Sequence, residues 1–247
     1  MRLLVDVGNT CIKWRLDREA QKAYDRGVSC GGLDALAESL ECVSGLDSIV
    51  VGSVSSSEFN YSLKCWLIAR FGVEPDFVVS TQRAGALLNA YDVPQALGVD
   101  RWAAIVAAYY QFSRSVLVVD CGSAITIDFV GEDGGHKGGY IMPGLGVMYR
   151  ALVGDTQKII GLSEEFPEDL MLANTTHGAV NKGTALFAVS AIERVKSEIE
   201  SKIGLELLVV LTGGDALKIA KLLSFRCEFE KDLVLDGIDM LAVKGVE

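Results

Sequence analysis

Apolar positions along the chain come in two rhythms. Leu3-Leu4-Val5 runs into Asp6-Val7-Gly8, and Leu117-Val118-Val119 runs into Asp120-Cys121-Gly122. Each block is followed by a segment in which apolar and polar residues alternate, the period of a half-buried strand. Both openings therefore predict a β-hairpin with a tight Asp-x-Gly turn. An offset of 114 residues carries Asp6 onto Asp120 and Gly8 onto Gly122, so the pattern occurs twice. Further strands are predicted at Ser48–Val54, Phe77–Val79 and Leu207–Leu211, with another ending over Gly138–Ile141. Apolar spacing near three to four residues predicts helices over Gly31–Val43, Glu58–Phe71 and Val99–Phe112. It predicts others starting at Pro143–Leu152, running from about His177 to Ile203, and covering Asp215–Leu223. Alternating strands and helices imply an α/β architecture. The duplicated opening implies two similar halves, residues 1–114 and 115–247, joined near Ser113–Ser115 without a Pro/Gly/Ser-rich linker.

Composition narrows the function classes. Of 247 residues, half are hydrophobic, and 23 Lys+Arg stand against 33 Asp+Glu for a net charge of −10. Apolar content this high and this evenly spread excludes intrinsic disorder. The acidic balance argues against a general nucleic-acid binder and against an anionic membrane surface, because both attract positive patches. The longest near-continuous apolar stretch, Trp102 to Tyr110, is far short of the ~18–20 residues that span a bilayer. Asp6 interrupts the apolar opening too early for a secretory signal. A cytoplasmic protein with no membrane partner is the expectation. The six cysteines, at 11, 30, 42, 65, 121 and 227, show no CxxC or Cys/His clustering. They read as reduced, mostly buried small hydrophobes.

Several short segments could carry chemistry. In Asp6-x-Gly8-Asn9-Thr10-x-x-Lys13 a glycine turn lets backbone N–H groups approach a phosphate, and Asp6 suits a hydrated Mg²⁺. Any hairpin can use Asp, Gly and Asn at its turn, but recurrence at Asp120-x-Gly122-Ser123 and the strand-ending Gly213-Gly214 favour a gripped nucleotide. Gly98-Val99-Asp100-Arg101 opens a helix. Asp100 could cap it, or take a hydroxyl proton while Arg101 fixes an anion. Tyr91 lies in the loop leading there. Thr175 and Thr176 precede the long helix, and either could cap it. His136 and His177 have no partner at metal-ligand spacing and read as solvated loop or helix-start residues. Cys11 and Cys121 lack a nearby His and read as core.

Taken in order, six motifs resemble one family. They are Asp6-x-Gly8-Asn9-Thr10, Gly98-x-Asp100-Arg101, Asp120-x-Gly122-Ser123-Ala124-x-Thr126-x-Asp128, Gly138-Gly139-x-Ile141-x-Pro143-Gly144, Thr176 with Gly183, and Thr212-Gly213-Gly214. The chain resembles the type III pantothenate kinases, bacterial enzymes of the actin-like/hexokinase ATPase superfamily, over nearly its full length. The resemblance implies two similar RNase H-like halves facing a central nucleotide cleft, and ATP-dependent phosphorylation of pantothenate, the entry step to coenzyme A. It implies ATP contacts from Asp6, Val7, Gly8, Asn9, Thr10, Cys11, Ile12, Lys13 and Ser123. Asp100 is implied as the base, and Tyr91, Gly98, Val99, Asp100, Arg101 and Thr176 as pantothenate contacts. Asp120 is implied as ligand of a monovalent cation, potassium or ammonium, with Mg²⁺ also needed and a homodimer expected. Ser123 departs from the family's threonine but keeps the hydroxyl, and the adjacent Thr175 leaves the Thr176 contact open by one place. A sugar or other alcohol kinase of the superfamily, and a non-enzymatic nucleotide-sensing regulator, are the rival readings.

Overall fold

A computed structural model describes residues 1–17, 24–155 and 165–243. In chain order the elements begin with strands β1 (Arg2–Val7), β2 (Ile12–Asp17) and β3 (Tyr24–Ser29) and helix α1 (Gly32–Ser39). There follow β4 (Ser48–Ser53), α2 (Ser57–Phe71), β5 (Asp76–Val78), the short pair β6 (Arg83–Ala84) and β7 (Leu87–Leu88), and α3 (Val99–Phe112). The second series is β8 (Val116–Cys121), β9 (Ala124–Val130), β10 (His136–Pro143), α4 (Leu145–Asp155), α5 (Thr176–Ile203), β11 (Leu208–Thr212), α6 (Ala216–Ala220), β12 (Glu228–Phe229) and α7 (Leu233–Ala242).

The two five-stranded sheets have one topology. The first runs β3-β2-β1-β4-β5 and the second β10-β9-β8-β11-β12. In each, three antiparallel strands from consecutive hairpins are extended by two parallel strands. The apolar runs become the central strands because both of their faces are covered. Leu3, Leu4, Val5 and Val7 are buried on β1, as are Val116, Leu117, Val118 and Val119 on β8. Leu3, Val5, Trp14, Ile49, Val51, Leu63 and Leu67 belong to the core of the first sheet. Leu117, Val119, Ile127, Ala188, Ile192 and Val209 belong to that of the second. Helix α2 starts where the Ser56 hydroxyl accepts the Phe59 N–H at 3.2 Å, a conventional N-cap.

The chain forms two compact units, and their boundaries differ from a single division at residue 114. The first unit comprises Met1–Gln111 and Asp232–Glu247, and the second Phe112–Lys231. The C-terminal stretch expected in the second half thus belongs to the first. Helix α7 packs on β1, β4 and β5, and Gly237 sets its backbone against that of Ala103 on α3. Ion pairs hold it there: Arg15 reaches Asp236 at 2.5 Å and Arg2 reaches Asp239 at 2.5 Å, while Asp17, on β2 with Arg15, binds Arg15 at 2.8 Å. Arg15 is itself buried, and the two carboxylates together compensate its charge in the interior.

Candidate active site

The first Asp-x-Gly turn grows directly out of the β1–β2 ladder. Asp6 is buried and stands opposite Lys13, whose Nζ lies 3.8 Å from Asp6 Oδ2. The Gly8 N–H donates to the Cys11 carbonyl at 3.2 Å and closes the turn, leaving Asn9 and Thr10 exposed at its tip. Val7 and Ile12 are buried in the core. Of the predicted phosphate contacts, those two can therefore offer only their backbone. Cys11 corrects the sequence reading. It is neither reduced nor core but half-buried and disulfide-bonded to Cys30. Cys42, Cys65, Cys121 and Cys227 are free thiols.

The head of α3 carries the second group of predicted residues. Asp100 Oδ1 accepts the Arg101 N–H at 2.7 Å, and it folds back over Gly98. A Cβ on Gly98 would lie 2.6 Å from that oxygen, so the carboxylate occupies space that a side chain would need. Burial pushes the Asp100 carboxyl above the usual carboxylate range, while the Arg101 N–H, the Arg101 charge and Lys13 pull it part of the way back. Lys13 of the first turn is thus close enough to act on Asp100. Buried Arg101 donates from Nη1 to the Tyr91 hydroxyl at 2.9 Å and lies over the Tyr91 ring at 5.8 Å. The Tyr91 N–H is held by Asn89 Oδ1 at 3.0 Å. Asn89 is buried and also donates to the Thr81 carbonyl, so it fixes the loop that presents Tyr91. Asn89 escaped sequence reasoning, and its place two residues before Tyr91 was the available signal. Val99 is buried, which leaves its backbone as the part able to meet a ligand.

The second Asp-x-Gly turn lies on the other unit. Its closing bond runs from the Gly122 N–H to the Ala124 carbonyl at 3.0 Å, one residue shorter than the first turn. Ser123 is exposed, and its carbonyl accepts the Gly144 N–H at 3.0 Å. The Gly138 to Gly144 segment accordingly buttresses this turn. Gly213 has a φ of +94°, and a Cβ there would strike Asp120 Oδ1 and come within 2.5 Å of the Cys121 carbonyl oxygen. Thr175 caps α5, its hydroxyl accepting the Gly178 N–H at 3.1 Å. That leaves Thr176, exposed on the first turn of the helix, as the threonine whose hydroxyl is not used for capping. His136 is a further correction: it is buried, with Nε2 3.0 Å from Asp128 Oδ1, and not a solvated loop residue.

The sequence profile of the type III pantothenate kinases matches residues 2–198. The chain belongs to that family. A type III pantothenate kinase of Nitrosococcus oceani is 36% identical, the match covering 98% of this chain and 94% of the relative. One from Marinobacter nauticus is 34% identical with both chains covered in full. Among solved structures, a protein described as a Baf family transcriptional activator from Campylobacter jejuni aligns with a TM-score of 0.60 at 22% identity, covering 97% of this chain and 96% of that one. A protein described as a 2-dehydro-3-deoxygalactonokinase from Sinorhizobium meliloti aligns at 0.52 and 12% identity, covering 98% of each. These two likenesses concern the fold alone, an α/β arrangement with two similar sheets. As a type III pantothenate kinase, the chain phosphorylates pantothenate with ATP, the first step of coenzyme A biosynthesis.

Two cations implied for type III pantothenate kinases can be tested against these residues. Mg²⁺ keeps several waters and takes one or two carboxylates together with phosphate oxygens. Asp6 at the turn fits that requirement, and among the described residues no group of three or more His, Cys, Asp or Glu forms a closed metal cage. For a monovalent cation, the Asp120 carboxylate and the Cys121 carbonyl bring two oxygens side by side against Gly213, packed so closely that a Cβ there would lie within 2.5 Å of both. Oxygen donors of this kind suit such an ion.

Proposed function

We propose that Asp100 is the general base of the pantothenate kinase reaction and that the Asp6–Lys13 turn and Ser123 hold ATP. In this reading Asp100 accepts the proton of the pantothenate primary hydroxyl. The freed oxygen attacks the γ-phosphorus, the bond to the β-γ bridging oxygen breaks, and 4′-phosphopantothenate and ADP result. Arg101, clamped against Tyr91, orients the pantothenate carboxylate as a guanidinium can. Gly98, Val99 and Thr176 complete the substrate contacts. Lys13 and the backbone N–H groups of the turn meet the phosphates. Mg²⁺ near Asp6 and a potassium or ammonium ion near Asp120 would supply charge neutralisation for the phosphates. The residues otherwise position and polarise, which is most of what phosphoryl transfer requires.

The observation that carries this reading is Asp100 itself. A carboxylate whose pKa is raised by burial, held at a helix head beside Arg101 and within electrostatic reach of Lys13, has the environment of a base poised for proton transfer. A homodimer in the cytoplasm belongs to the same proposal. Exposed apolar side chains, Leu186 and Phe187 on α5 and Tyr140 and Ile141 on β10, are ones a second copy would cover. No helix among the described residues is long and apolar enough to cross a membrane. The test is ATP-to-ADP turnover with Mg²⁺, with and without pantothenate, in potassium and then in sodium buffer. Turnover that needs both pantothenate and potassium is expected. Pantothenate-dependent turnover indifferent to the cation would remove the Asp120 assignment.

A further inference from the structure

Cys11 occupies a junction between two ladders. On one side Val7 pairs with Ile12, so the next position outward sets Gly8 opposite Cys11, where the turn closes. On the other side Ile12 pairs with Ser29, so the next position sets Cys11 opposite Cys30. The disulfide forms that last rung, with the two Cα atoms 4.2 Å apart. This is near the ~4.5 Å of a non-hydrogen-bonded antiparallel pair. One residue therefore closes the phosphate turn with its carbonyl and ties it to β3 with its sulfur. Cys30 is exposed and Cys11 half-buried, so a thiol in solution can reach the bond. Beyond Cys30 the chain passes through Gly31 and Gly32, both at positive φ, before α1 begins. An accessible disulfide at a ligand-binding turn is the placement of a labile, regulatory bond more than of a structural staple.

We infer that Cys11 and Cys30 form a thiol–disulfide switch on the ATP turn, the oxidised form binding ATP more tightly than the reduced form. The inference rests on the reading of Asp6 to Lys13 as that turn. The chemistry needs a low-molecular-weight disulfide as oxidant. The exposed Cys30 thiolate attacks it and releases one thiol; the Cys11 thiolate then attacks the mixed disulfide and releases the second. Two protein thiols and one small disulfide thus become one protein disulfide and two small thiols, with two electrons passed to the oxidant. A dithiol reverses the exchange. The oxidised state holds Cys11, and with it the carbonyl that receives the Gly8 N–H, in one position. Reduction returns backbone freedom to the turn, and ATP binding must then order it again.

The test equilibrates the full chain in glutathione buffers of graded ratio. Alkylation and mass spectrometry read the cysteine state, and calorimetry gives the Kd for ATP of the fully oxidised and fully reduced forms. Reduction should raise that Kd about five- to tenfold, the effect of freeing roughly one residue's backbone. Cys30→Ser should bind ATP like the reduced protein and ignore the oxidant. Equal affinities, tighter binding by the reduced form, or failure of Cys11 to pair with Cys30 at any ratio would overturn the switch. Absence of ATP binding in both states would instead remove the phosphate-turn reading beneath it.

Discussion

The two Asp-x-Gly turns share a sequence pattern and a place in their sheets, yet they handle charge differently. In the first, Asp6 pairs across the ladder with Lys13. In the second, Asp120 pairs with Thr126. Because the second turn is one residue shorter, the offset that carries Asp6 onto Asp120 carries Lys13 past its counterpart, and Thr126 stands in its place. Directly opposed residues of an antiparallel pair share one face and lie near enough to interact. The first carboxylate thus has a covalently supplied cation beside it. The second has a neutral residue opposite, and its Oδ1 lies with the Cys121 carbonyl oxygen against Gly213. The contrast gives a physical reason for proposing the monovalent cation at Asp120 and not at Asp6, where the Mg²⁺ of the proposal would accompany the phosphates. The chain's net charge of −10 is consistent with such a need when two anionic substrates bind.

The largest effect expected separates both turns from the proton chemistry. Asp100→Asn should lower kcat by ~10²–10⁴-fold, the usual range for loss of a general base. Its Kd for ATP should stay near that of the native protein, because both phosphate turns are intact. A quench-flow kcat with a calorimetric ATP titration reads the two quantities. Near-native turnover would remove Asp100 from the base role and would return the chemistry to the turns.

A smaller effect comes from exchanging the two charge solutions. Lys13→Met should raise the KM for ATP about tenfold, the size of one charge-assisted contact, and change kcat less. Thr126→Lys would put an ammonium opposite Asp120 as Lys13 stands opposite Asp6. The ratio of kcat/KM in potassium to that in sodium should then fall toward one. A ratio unchanged from the native protein would show that Asp120 is not where the monovalent cation acts.

Much of this arrangement was legible in the sequence, for reasons that also explain what was not. The central strands β1 and β8 announce themselves as apolar runs ending in Asp-x-Gly, and α2, α3 and α5 by spacing and caps. Boundaries shifted by a few residues, as at α1, which ends at Ser39 and not at Val43 because the chain passes into tighter turns, the Glu41 and Val43 N–H groups donating to the Glu38 and Leu40 carbonyls. Strand β3 was missed because Tyr24-Asp-Arg-Gly-Val-Ser29 is an edge segment with little apolar signal. The attachment of α7 to the first unit depends on Asp236, Asp239 and Gly237 meeting Arg15, Arg2 and Ala103, contacts that no local pattern encodes. The Cys11–Cys30 bond spans 19 residues without a recognisable spacing, and only the β2–β3 register brings the sulfurs together. At the site, Asp100 and Arg101 stood out as an unusual pair at a helix head. Asn89, which holds Tyr91, did not, because a buried Asn in a loop looks like any turn residue until its partners are known.

The smallest expected effect is thermodynamic and concerns the same carboxylate as the largest. Burial holds the Asp100 pKa in the folded protein above its unfolded value. Its stabilising contribution is therefore fully present below the unfolded pKa, near 3.9, and is lost as pH rises through the folded one. At neutral pH, well above the unfolded pKa, the cost of desolvating the Asp100 carboxyl thus works against folding, while Asn at that place carries no charge to desolvate. Asp100→Asn should consequently melt at a higher temperature than the native protein at pH 7, by about 2–4 °C for each kcal/mol relieved in a chain of this size. The difference should shrink as pH falls through the folded pKa and close near pH 4. Over the same acidic range kcat/KM of the native enzyme should fall, because protonated Asp100 cannot accept the hydroxyl proton. A variant that lost turnover without gaining stability at neutral pH would mean that the raised pKa is offset by contacts to the charged form, Arg101 and Lys13 foremost. The comparison of the two turns would then extend to Lys13, with one ammonium serving Asp6, the phosphates and the base together.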